Sequence, residues 1–291
     1  MPETSIAAPK PRTGSQRPDW PVAVVISAGG LGLSIAKRLG QRQRLLIVDR
    51  NPDTLERVQA KLADDGHDVE IAACDVTDPE QVDSLAHRAS ELGRLRIIAY
   101  VAGISPNGGD WQSIMRVNLV GAALVEKSFR PLAPEGSVAL FVSSAAAHVP
   151  PAPSATTMDA LADPLSADFL DRLQQAEAGT ISPIRAYLLS KRGLNAMVRA
   201  RAEDWGLRNA RIVSLSPGPI DSPMGRFENM HSPLKAEQLK TMPLRREGTM
   251  LEIADAAEFL TSDRASYITG TDLLVDGGSM TRKPAGFGQE H

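Results

Sequence analysis

Residues Val22–Leu39, which read V-A-V-V-I-S-A-G-G-L-G-L-S-I-A-K-R-L, carry the pattern from which the fold is predicted. It begins with the continuous apolar run Val22–Ile26, which is typical of a β-strand buried on both faces. A glycine-rich turn follows, and Gly32–Leu39 then carries apolar residues at helical spacing. A buried strand, a tight glycine turn and a helix in this order predict the first unit of a parallel α/β sheet.

The same alternation of apolar runs and amphipathic segments continues along the chain. Further strands are predicted at residues 45–48, 69–73, 95–101, 138–142, 211–215 and 271–275. The amphipathic segments predict helices that include 114–132, 164–178, 185–205 and 252–260. Strands that alternate with helices imply right-handed crossovers. We therefore predict an α/β fold with a single-domain Rossmann-type doubly wound parallel sheet in three α/β/α layers.

Composition excludes several classes of function. The chain has 291 residues, with 32 Lys plus Arg against 35 Asp plus Glu, so its net charge of −3 indicates no nucleic-acid partner. The single cysteine, Cys74, cannot form an intrachain disulfide, which suits a reducing compartment. No apolar run approaches the roughly 20 residues of a membrane span, and the N-terminus lacks a secretory core. We predict a cytoplasmic protein with no membrane contact and no metal site.

Both ends of the chain lie outside the predicted domain. Residues 1–20 are rich in proline and polar side chains and show no apolar period, so we predict a mobile N-terminal tail. The folded domain is predicted at residues 21–280, and a C-terminal tail at 281–291.

Tyr187 and Lys191 stand four residues apart within A-Y-L-L-S-K-R-G-L, in a predicted helix. Positions i and i+4 lie on one helix face with their Cβ atoms roughly 5–6 Å apart. The lysine ammonium would therefore favour the phenolate, which makes the pair a candidate acid/base nearer neutral pH than free tyrosine. The alternative is an exposed helix that carries an unrelated tyrosine and lysine.

The turn after the first strand has the pattern of a dinucleotide-binding site. In doubly wound sheets, ligands bind beyond the carboxyl ends of the strands. Gly29 and Gly32 fit the second and third glycines of G-x-G-x-x-G, and Ser27 replaces the first. Together with Leu31 they would hold a pyrophosphate at the helix N-terminus. An ordinary tight connection is the alternative.

Asp49 ends the second predicted strand, 17 residues after Gly32. A carboxylate there accepts hydrogen bonds from the adenosine ribose and repels a 2′-phosphate, which favours NAD as the cofactor. Arg50 follows directly, and its guanidinium could instead bind that phosphate, so NADP is the alternative. Asp49 could also be a solvated turn residue.

Short motifs that each contain a polar residue or a glycine also follow the later strands. They are Asp75-Val76, Ala102-Gly103, Ser143-Ser144 and Ser216-Pro217-Gly218-Pro219-Ile220, with Asn118 in the long helix. With Tyr187, Lys191 and the terminal Val275-Asp276-Gly277-Gly278, they are similar to the motifs of classical short-chain dehydrogenases/reductases. The resemblance covers residues 21–278.

The resemblance implies which residues carry the chemistry. Asn118, Ser144, Tyr187 and Lys191 match the family's catalytic tetrad, in which the serine binds the substrate oxygen and the asparagine holds a relay water. The lysine of the tetrad would also bind the nicotinamide ribose. The other implied cofactor contacts are Asp75, Val76, Ala102, Gly103, Pro217, Gly218, Ile220 and Ser222.

The implied function is that of an NAD(P)-dependent oxidoreductase, which interconverts a secondary alcohol and a ketone by hydride transfer with Tyr187 as the acid/base. The implied partners are a small-molecule alcohol or ketone and further copies of the chain, in a homotetramer or homodimer. Two alternatives stay open. A dehydratase or epimerase could use the same tyrosine and lysine with a retained cofactor, and a cofactor-binding sensor would bind without turnover.

Some features depart from the family pattern. The glycine turn is shorter than the usual T-G-x-x-x-G-x-G, and Ala99-Tyr100-Val101 replaces the usual asparagines, so a contact between strand and turn should be missing. Ser144 precedes Tyr187 by 43 residues, which indicates an inserted segment at residues 148–183. The segment is either a wall or lid of the substrate pocket, or a surface excursion or oligomer contact.

Two further regions are candidates for contact with substrate. His148 follows the serine motif and could touch substrate, although a lone histidine is more often structural. Residues 222–248 are rich in Met, Pro and charged residues and resemble the family's substrate lid, with Phe227, Met230 and Leu234 as apolar candidates. Closure of such a lid would exclude water from the pocket.

Overall fold

In the part of the chain that the structure describes, seven parallel strands form the central sheet. They are β1 Pro21–Ile26, β2 Arg44–Asp49, β3 Val69–Ala73, β4 Arg94–Tyr100, β5 Val138–Val142, β6 Arg211–Pro217 and β9 Thr271–Val275. The computed structural model describes residues 20–223, 225–226, 239 and 241–281. In this part of the chain the strand order is β3-β2-β1-β4-β5-β6-β9. The order reverses direction between β1 and β4, which confirms the predicted doubly wound parallel sheet. Two short strands, β7 Ile220–Asp221 and β8 Gly248–Thr249, make a separate parallel pair.

Helices cover both faces of the sheet and make three layers. They are α1 Gly30–Leu39, α2 Pro52–Asp64, α3 Pro79–Glu91, α4 Trp111–Met115, α5 Ala122–Phe129, α6 Ala155–Leu161, α7 Phe169–Ala176, α8 Pro183–Ala200, α9 Ala202–Gly206 and α10 Met250–Thr261. Helices α1, α2 and α10 pack on one face, and α3, α4, α5 and α8 pack on the other.

Alternate residues of β1 enter different cores, which explains why the whole strand is apolar. Val22, Val24 and Ile26 pack in the core that contains α3, α5 and α8. Ala23 and Val25 pack in the core that contains α1 and α10. Because strand side chains point alternately to the two faces, a strand covered by helices on both sides needs an apolar residue at every position.

The long helix predicted at 114–132 is present, but it is not α-helical throughout. Helix α4 passes into a π-helical segment, Arg116–Gly121, before α5 begins, and Arg130–Leu132 ends the run as a 3-10 turn. Asn118 lies in the π-helical segment. The predicted helix at 185–205 likewise divides into α8 and α9 around Arg201. Single π turns inside α-helices are frequent at functional sites, so this irregularity marks the segment that carries Asn118.

The helix predicted at 164–178 is wrong in extent. Helix α7 starts only at Phe169, because turns precede it: the Ser166 N–H donates to the Asp163 carbonyl, and the Phe169 N–H donates to the Ser166 carbonyl. These turns use the backbone groups that an earlier helix start would need. The predicted apolar face is nevertheless used, since Phe169 and Leu173 are buried.

Helix α6 lies in the predicted inserted segment (residues 148–183) but outside the helix predicted at 164–178. It begins after Ser154, whose hydroxyl accepts a hydrogen bond from the Thr157 N–H at 3.1 Å and so caps the helix. Leu161 at its end is buried in the core that α8 also enters. Helices α6 and α7 thus form a short helical hairpin that packs on the domain.

Several predicted regions fall partly outside the described residues. Only Trp20 of the predicted N-terminal tail and only Thr281 of the predicted C-terminal tail are described. Within the predicted lid, residues 224, 227–238 and 240 lie outside, including Phe227, Met230 and Leu234. In the described part of the chain, no helix combines the length and the apolar character that crossing a membrane requires. The same residues include no cluster of three His, Cys, Asp or Glu side chains that could hold a metal ion.

Candidate active site

The carboxyl ends of the strands open into two neighbouring cavities. The larger has a volume of about 820 Å³ and lies beyond β1, β4, β5 and β6. The smaller, of about 160 Å³, lies beyond β1, β2 and β3. Ser27, Gly103 and Ile104 line both, so the cavities adjoin.

The two cavities bring together all residues predicted to bind the cofactor. The larger cavity is lined by Ser27, Gly29, Leu31, Gly32, Gly103, Tyr187, Lys191, Pro217, Gly218, Ile220 and Ser222. The smaller cavity is lined by Asp49, Arg50, Asp75, Val76 and Ala102, together with Ser27 and Gly103. An extended ligand could therefore contact both groups at once.

The turn between β1 and α1 allows close approach of a ligand. A Cβ on Gly32 would lie 2.0 Å from the Ser27 carbonyl oxygen, so the turn requires glycine there. Helix α1 begins at Gly30 with no side-chain cap and with no acidic residue in its first turn. Its first N–H groups can therefore bind an anion such as a pyrophosphate.

Ser27 replaces the first glycine of the motif at a cost in backbone strain. Its φ of 136° lies in the region that favours glycine. Its hydroxyl accepts a hydrogen bond from the Gly29 N–H at 3.2 Å. Its own N–H donates to the Val48 carbonyl at 2.8 Å. Strain of this kind persists where the surrounding contacts fix the backbone, and it clusters at ligand sites.

Asp49 joins the smaller cavity to the glycine turn. Its Oδ2 accepts a hydrogen bond from the Ala28 N–H at 2.8 Å, and its Oδ1 accepts from the Asn51 N–H at 3.1 Å. Asp75, on the neighbouring strand end, accepts at Oδ1 from the N–H and the hydroxyl of Thr77. Two oriented carboxylates therefore line the smaller cavity.

Tyr187 and Lys191 lie on α8, which starts at a Ser182 cap followed by Pro183. The Lys191 Nζ is 5.8 Å from the centroid of the Tyr187 ring. Lys191 is 4% exposed, and its Nζ donates a hydrogen bond to the Val142 carbonyl at 3.0 Å. Burial lowers the pKa of Lys191 to about 8, because desolvation disfavours the ammonium.

Ser144 follows β5 and lines the same cavity as Tyr187 and Lys191. Its hydroxyl oxygen accepts a hydrogen bond from the Ala146 N–H at 3.1 Å, which leaves the hydroxyl proton available for a ligand oxygen. Ser143, next to it, donates to the Lys191 carbonyl at 3.2 Å. This bond connects the end of β5 to α8 and so fixes the position of Ser144 relative to Lys191.

Asn118 lies behind Gly103 and is not among the residues that line either cavity. Its Oδ1 accepts a hydrogen bond from the Ile104 N–H at 2.7 Å, and its Nδ2 donates to the Ile104 carbonyl at 3.0 Å. A Cβ on Gly103 would lie 3.4 Å from Asn118 Oδ1 and 3.5 Å from Lys191 Nζ. Asn118 and Lys191 therefore flank the same glycine.

Tyr100 makes a contact that the sequence did not predict. Its fully buried hydroxyl donates a hydrogen bond to the Val117 carbonyl at 2.5 Å, directly before Asn118. Burial raises the pKa of Tyr100 well above its usual range, with Cys74 and Asp75 as smaller causes. The family's asparagines are absent here, but the strand still makes a polar contact, to the π-helical segment. A phenol within an apolar strand was the available signal.

The turn after β6 packs on the terminal glycine motif. The Gly218 N–H donates to the Val275 carbonyl at 2.9 Å. A Cβ on Gly218 would lie 2.5 Å from the Asp276 Cα, so glycine is required for this contact. The V-D-G-G motif therefore supports the turn that carries Pro217 and Ile220.

Two family models match the chain, one described as short chain dehydrogenase over residues 21–156 and one as Enoyl-(Acyl carrier protein) reductase over residues 174–280. The chain is also 31% identical over 264 residues to "Short-chain dehydrogenase/reductase bsc3" of Alternaria brassicicola, which covers 88% of this chain and 94% of that protein. The chain belongs to the short-chain dehydrogenase/reductase family.

Other members of the family are similar over nearly the whole chain. A galactitol 2-dehydrogenase (L-tagatose-forming) of Cereibacter sphaeroides is 29% identical over 275 residues, with 90% of this chain and 96% of that protein covered. The solved structure of a short-chain dehydrogenase/reductase from Serratia marcescens shares the fold, with a TM-score of 0.71 at 21% identity over 91% of this chain and 99% of that chain. Short-chain dehydrogenases/reductases generally use NAD(P) and act on small molecules, and the matched relatives include alcohol dehydrogenases.

The inserted segment contributes little of its length to the cavity of this short-chain dehydrogenase/reductase. The two family models leave residues 157–173 unmatched between them. Among the described residues, Val149 is the one member of the segment that lines the larger cavity. His148 Nε2 lies 2.8 Å from Asp272 Oδ2 and does not line the cavity. The helical hairpin instead packs on the core beside α8.

Proposed function

We propose that the chain is an NAD-dependent oxidoreductase that interconverts a secondary alcohol and a ketone, with Tyr187 as the acid/base. The observation that carries this proposal is a shared cavity. Tyr187, Lys191 and Ser144 line the same 820 Å³ space as the glycine turn that precedes α1. A proton-transfer group, a cation and a hydroxyl donor thus adjoin a place for a dinucleotide.

The residues present fit a nicotinamide dinucleotide. The N-terminus of α1 offers N–H groups to the pyrophosphate, and Asp49 and Asp75 face the adenosine end. Lys191 and the turn at Pro217 line the larger cavity, away from Asp49 and Asp75, where the nicotinamide and its ribose would bind. The bound nicotinamide would accept or supply the hydride. Asp49 favours NAD, whereas Arg50 beside it keeps NADP as the alternative.

The chain's own residues would orient the substrate and move the proton. Ser144 would donate its hydroxyl proton to the substrate oxygen, where negative charge develops. Tyr187 would give a proton to that oxygen during reduction and take it back during oxidation. The Lys191 ammonium, 5.8 Å from the ring, would stabilise negative charge on the phenolic oxygen. The role of holding a relay water, which the family resemblance implies for Asn118, stays a prediction, because its side-chain amide bonds to Ile104 and does not line either cavity.

A spectrophotometric panel tests this function. The purified protein is mixed with NAD⁺ and secondary alcohols, and with NADH and ketones, while absorbance of the reduced nicotinamide is followed. We expect turnover in both directions, with NAD(H) preferred over NADP(H). Tight NADH binding without turnover would favour the cofactor-binding sensor. Conversion of substrate with no net change in NADH would favour the dehydratase or epimerase.

Two expectations, one from the composition of the chain and one from the family resemblance, stay predictions. These are the cytoplasmic location and the homodimer or homotetramer. Light scattering during size-exclusion chromatography measures the oligomeric state directly.

A further inference from the structure

The substrate end of the larger cavity is lined by uncharged side chains. Beyond the cofactor turn and the catalytic candidates, its walls include the apolar residues Ile104, Pro106, Val149, Ile184 and Met280, together with the polar residues Asn107 and Ser279. Among the described residues that line the cavity, Tyr187 and Lys191 are the only ones with an ionisable side chain. Lys191 is already hydrogen-bonded to the Val142 carbonyl. The described walls therefore offer no separate charged group for an acidic or basic substrate.

Val149 is held in the wall by a guanidinium. The Arg192 Nε donates a hydrogen bond to the Ala147 carbonyl at 2.9 Å, and one terminal nitrogen donates to the Pro151 carbonyl at 2.9 Å. The other terminal nitrogen donates to the carbonyl of Val149 itself. Arg192 lies on α8, the helix that carries Tyr187. The position of Val149 relative to Tyr187 is therefore set by three bonds from one rigid helix.

Ile184 approaches the cavity from the other end of the inserted segment. It is the second residue of α8, and it keeps 65% of its surface exposed although it lines the cavity. Arg185 beside it makes two hydrogen bonds to Glu177, at 2.6 and 3.0 Å, which attach the end of the hairpin to α8. The segment thus brings one apolar side chain to the cavity just after it starts and another just after it ends.

We propose that Val149 and Ile184 select an uncharged, mainly apolar secondary alcohol or ketone over polyols and carboxylates. This inference rests on the proposed function. Each substrate hydroxyl buried against these walls without a partner loses its hydration without compensation, and an unpaired carboxylate loses more. An alkyl or ring substituent instead gains by contact with them. The inserted segment therefore influences substrate choice through the residues at its two ends, Val149 and Ile184. Its helical hairpin connects these two ends.

Three matched compounds test the preference. They are 4-methylcyclohexanol, 4-hydroxycyclohexanecarboxylate and galactitol, with kcat/KM measured for each with NAD⁺. We expect 4-methylcyclohexanol to be favoured by roughly tenfold or more over each of the others. A higher kcat/KM for the carboxylate or for galactitol would overturn the inference and leave the proposed function intact. Absence of turnover with all three compounds and with their ketones, while NADH still binds, would overturn the proposed function and the inference with it.

Variants test whether the two side chains are responsible. Val149→Thr keeps the shape and adds a hydroxyl, and Ile184→Asn replaces an apolar side chain with an amide. Each should reduce the preference for 4-methylcyclohexanol severalfold while the Kd for NADH stays unchanged. Leu165→Asn is the control, because Leu165 lies in the same segment, is 36% exposed and does not line the cavity. Equal preference ratios in the wild type and both cavity variants would contradict the assignment.

Discussion

The Nζ of Lys191 donates a hydrogen bond to the Val142 carbonyl oxygen, 3.0 Å away at the end of β5. The bond places a buried cation between the sheet and α8, 5.8 Å from the Tyr187 ring. A buried ammonium is costly, and this cost lowers the pKa of Lys191 to about 8. The protonation state of Lys191 therefore changes within the range in which enzymes are assayed.

The first prediction concerns the pH dependence of cofactor binding. Below pH 8 free Lys191 is an ammonium, and above pH 8 it becomes a neutral amine, because its pKa is lowered to about 8. In the proposed complex, ribose hydroxyls would accept from the ammonium and would keep it protonated to higher pH. The affinity for NADH should therefore be highest below pH 8 and should fall roughly fivefold by about pH 10. A fall of this size is expected when a charge-assisted hydrogen bond becomes a neutral one.

This affinity is best measured by NADH fluorescence in Tyr187→Phe, since that variant has no Tyr187 phenol to titrate. Lys191→Met is the control and should bind NADH more weakly, with no fall above pH 8. Constant NADH affinity from about pH 7 to pH 10 in Tyr187→Phe would show that Lys191 does not titrate at the cofactor site.

The second prediction concerns the choice between NAD and NADP. Asp49→Asn retains an oxygen that can accept from the Ala28 N–H but removes the negative charge that we propose lies beside the adenosine ribose. The Kd for NADPH divided by the Kd for NADH should fall by roughly tenfold or more. The reason is that the 2′-phosphate of NADPH would no longer meet a negative charge. Asp53→Asn, an exposed change in the first turn of α2, should leave the ratio unchanged. An unaltered ratio in Asp49→Asn would place the 2′-phosphate discrimination elsewhere.

The third prediction concerns the contact between Tyr100 and the π-helical segment. Tyr100→Phe removes the hydroxyl that donates to the Val117 carbonyl and leaves that carbonyl without this partner. The free energy of unfolding should fall by about 1–3 kcal/mol, as for other buried groups left unsatisfied. Urea denaturation measures the change, and the m-value should stay constant. Tyr267→Phe, at a fully exposed tyrosine, should have no effect, and equal stability of the two variants would argue against the contact.

The sheet could be predicted from sequence because its strands are covered on both faces. Val22–Ile26 and Val138–Val142 are apolar throughout, so their limits follow from composition alone. The capped helices could be predicted equally well. The pattern Asn51-Pro52 predicts a helix start, and in the structure Asn51 accepts a hydrogen bond from the Thr54 N–H at this point. Local chemistry and tertiary structure agree in these elements.

The irregular parts depend on long-range contacts and could not be read from local patterns. The π-helical segment contains Asn118, whose side-chain partner Ile104 is 14 residues away. The lowered pKa of Lys191 comes from burial in the assembled domain, which the spacing of Tyr187 and Lys191 does not reveal. The path of Val149 is set by Arg192, 43 residues later in the chain.

Tyr187→Phe is the sharpest test of the proposal that Tyr187 is the acid/base of an NAD-dependent alcohol/ketone oxidoreductase. The variant keeps the ring that lines the cavity and removes only the proton-transfer group. With a substrate that the wild type turns over, we expect kcat to fall by at least about a hundredfold, the scale of general acid/base catalysis, while the Kd for NADH changes less than about twofold. Activity equal to that of the wild type, with NADH still bound, would contradict the account.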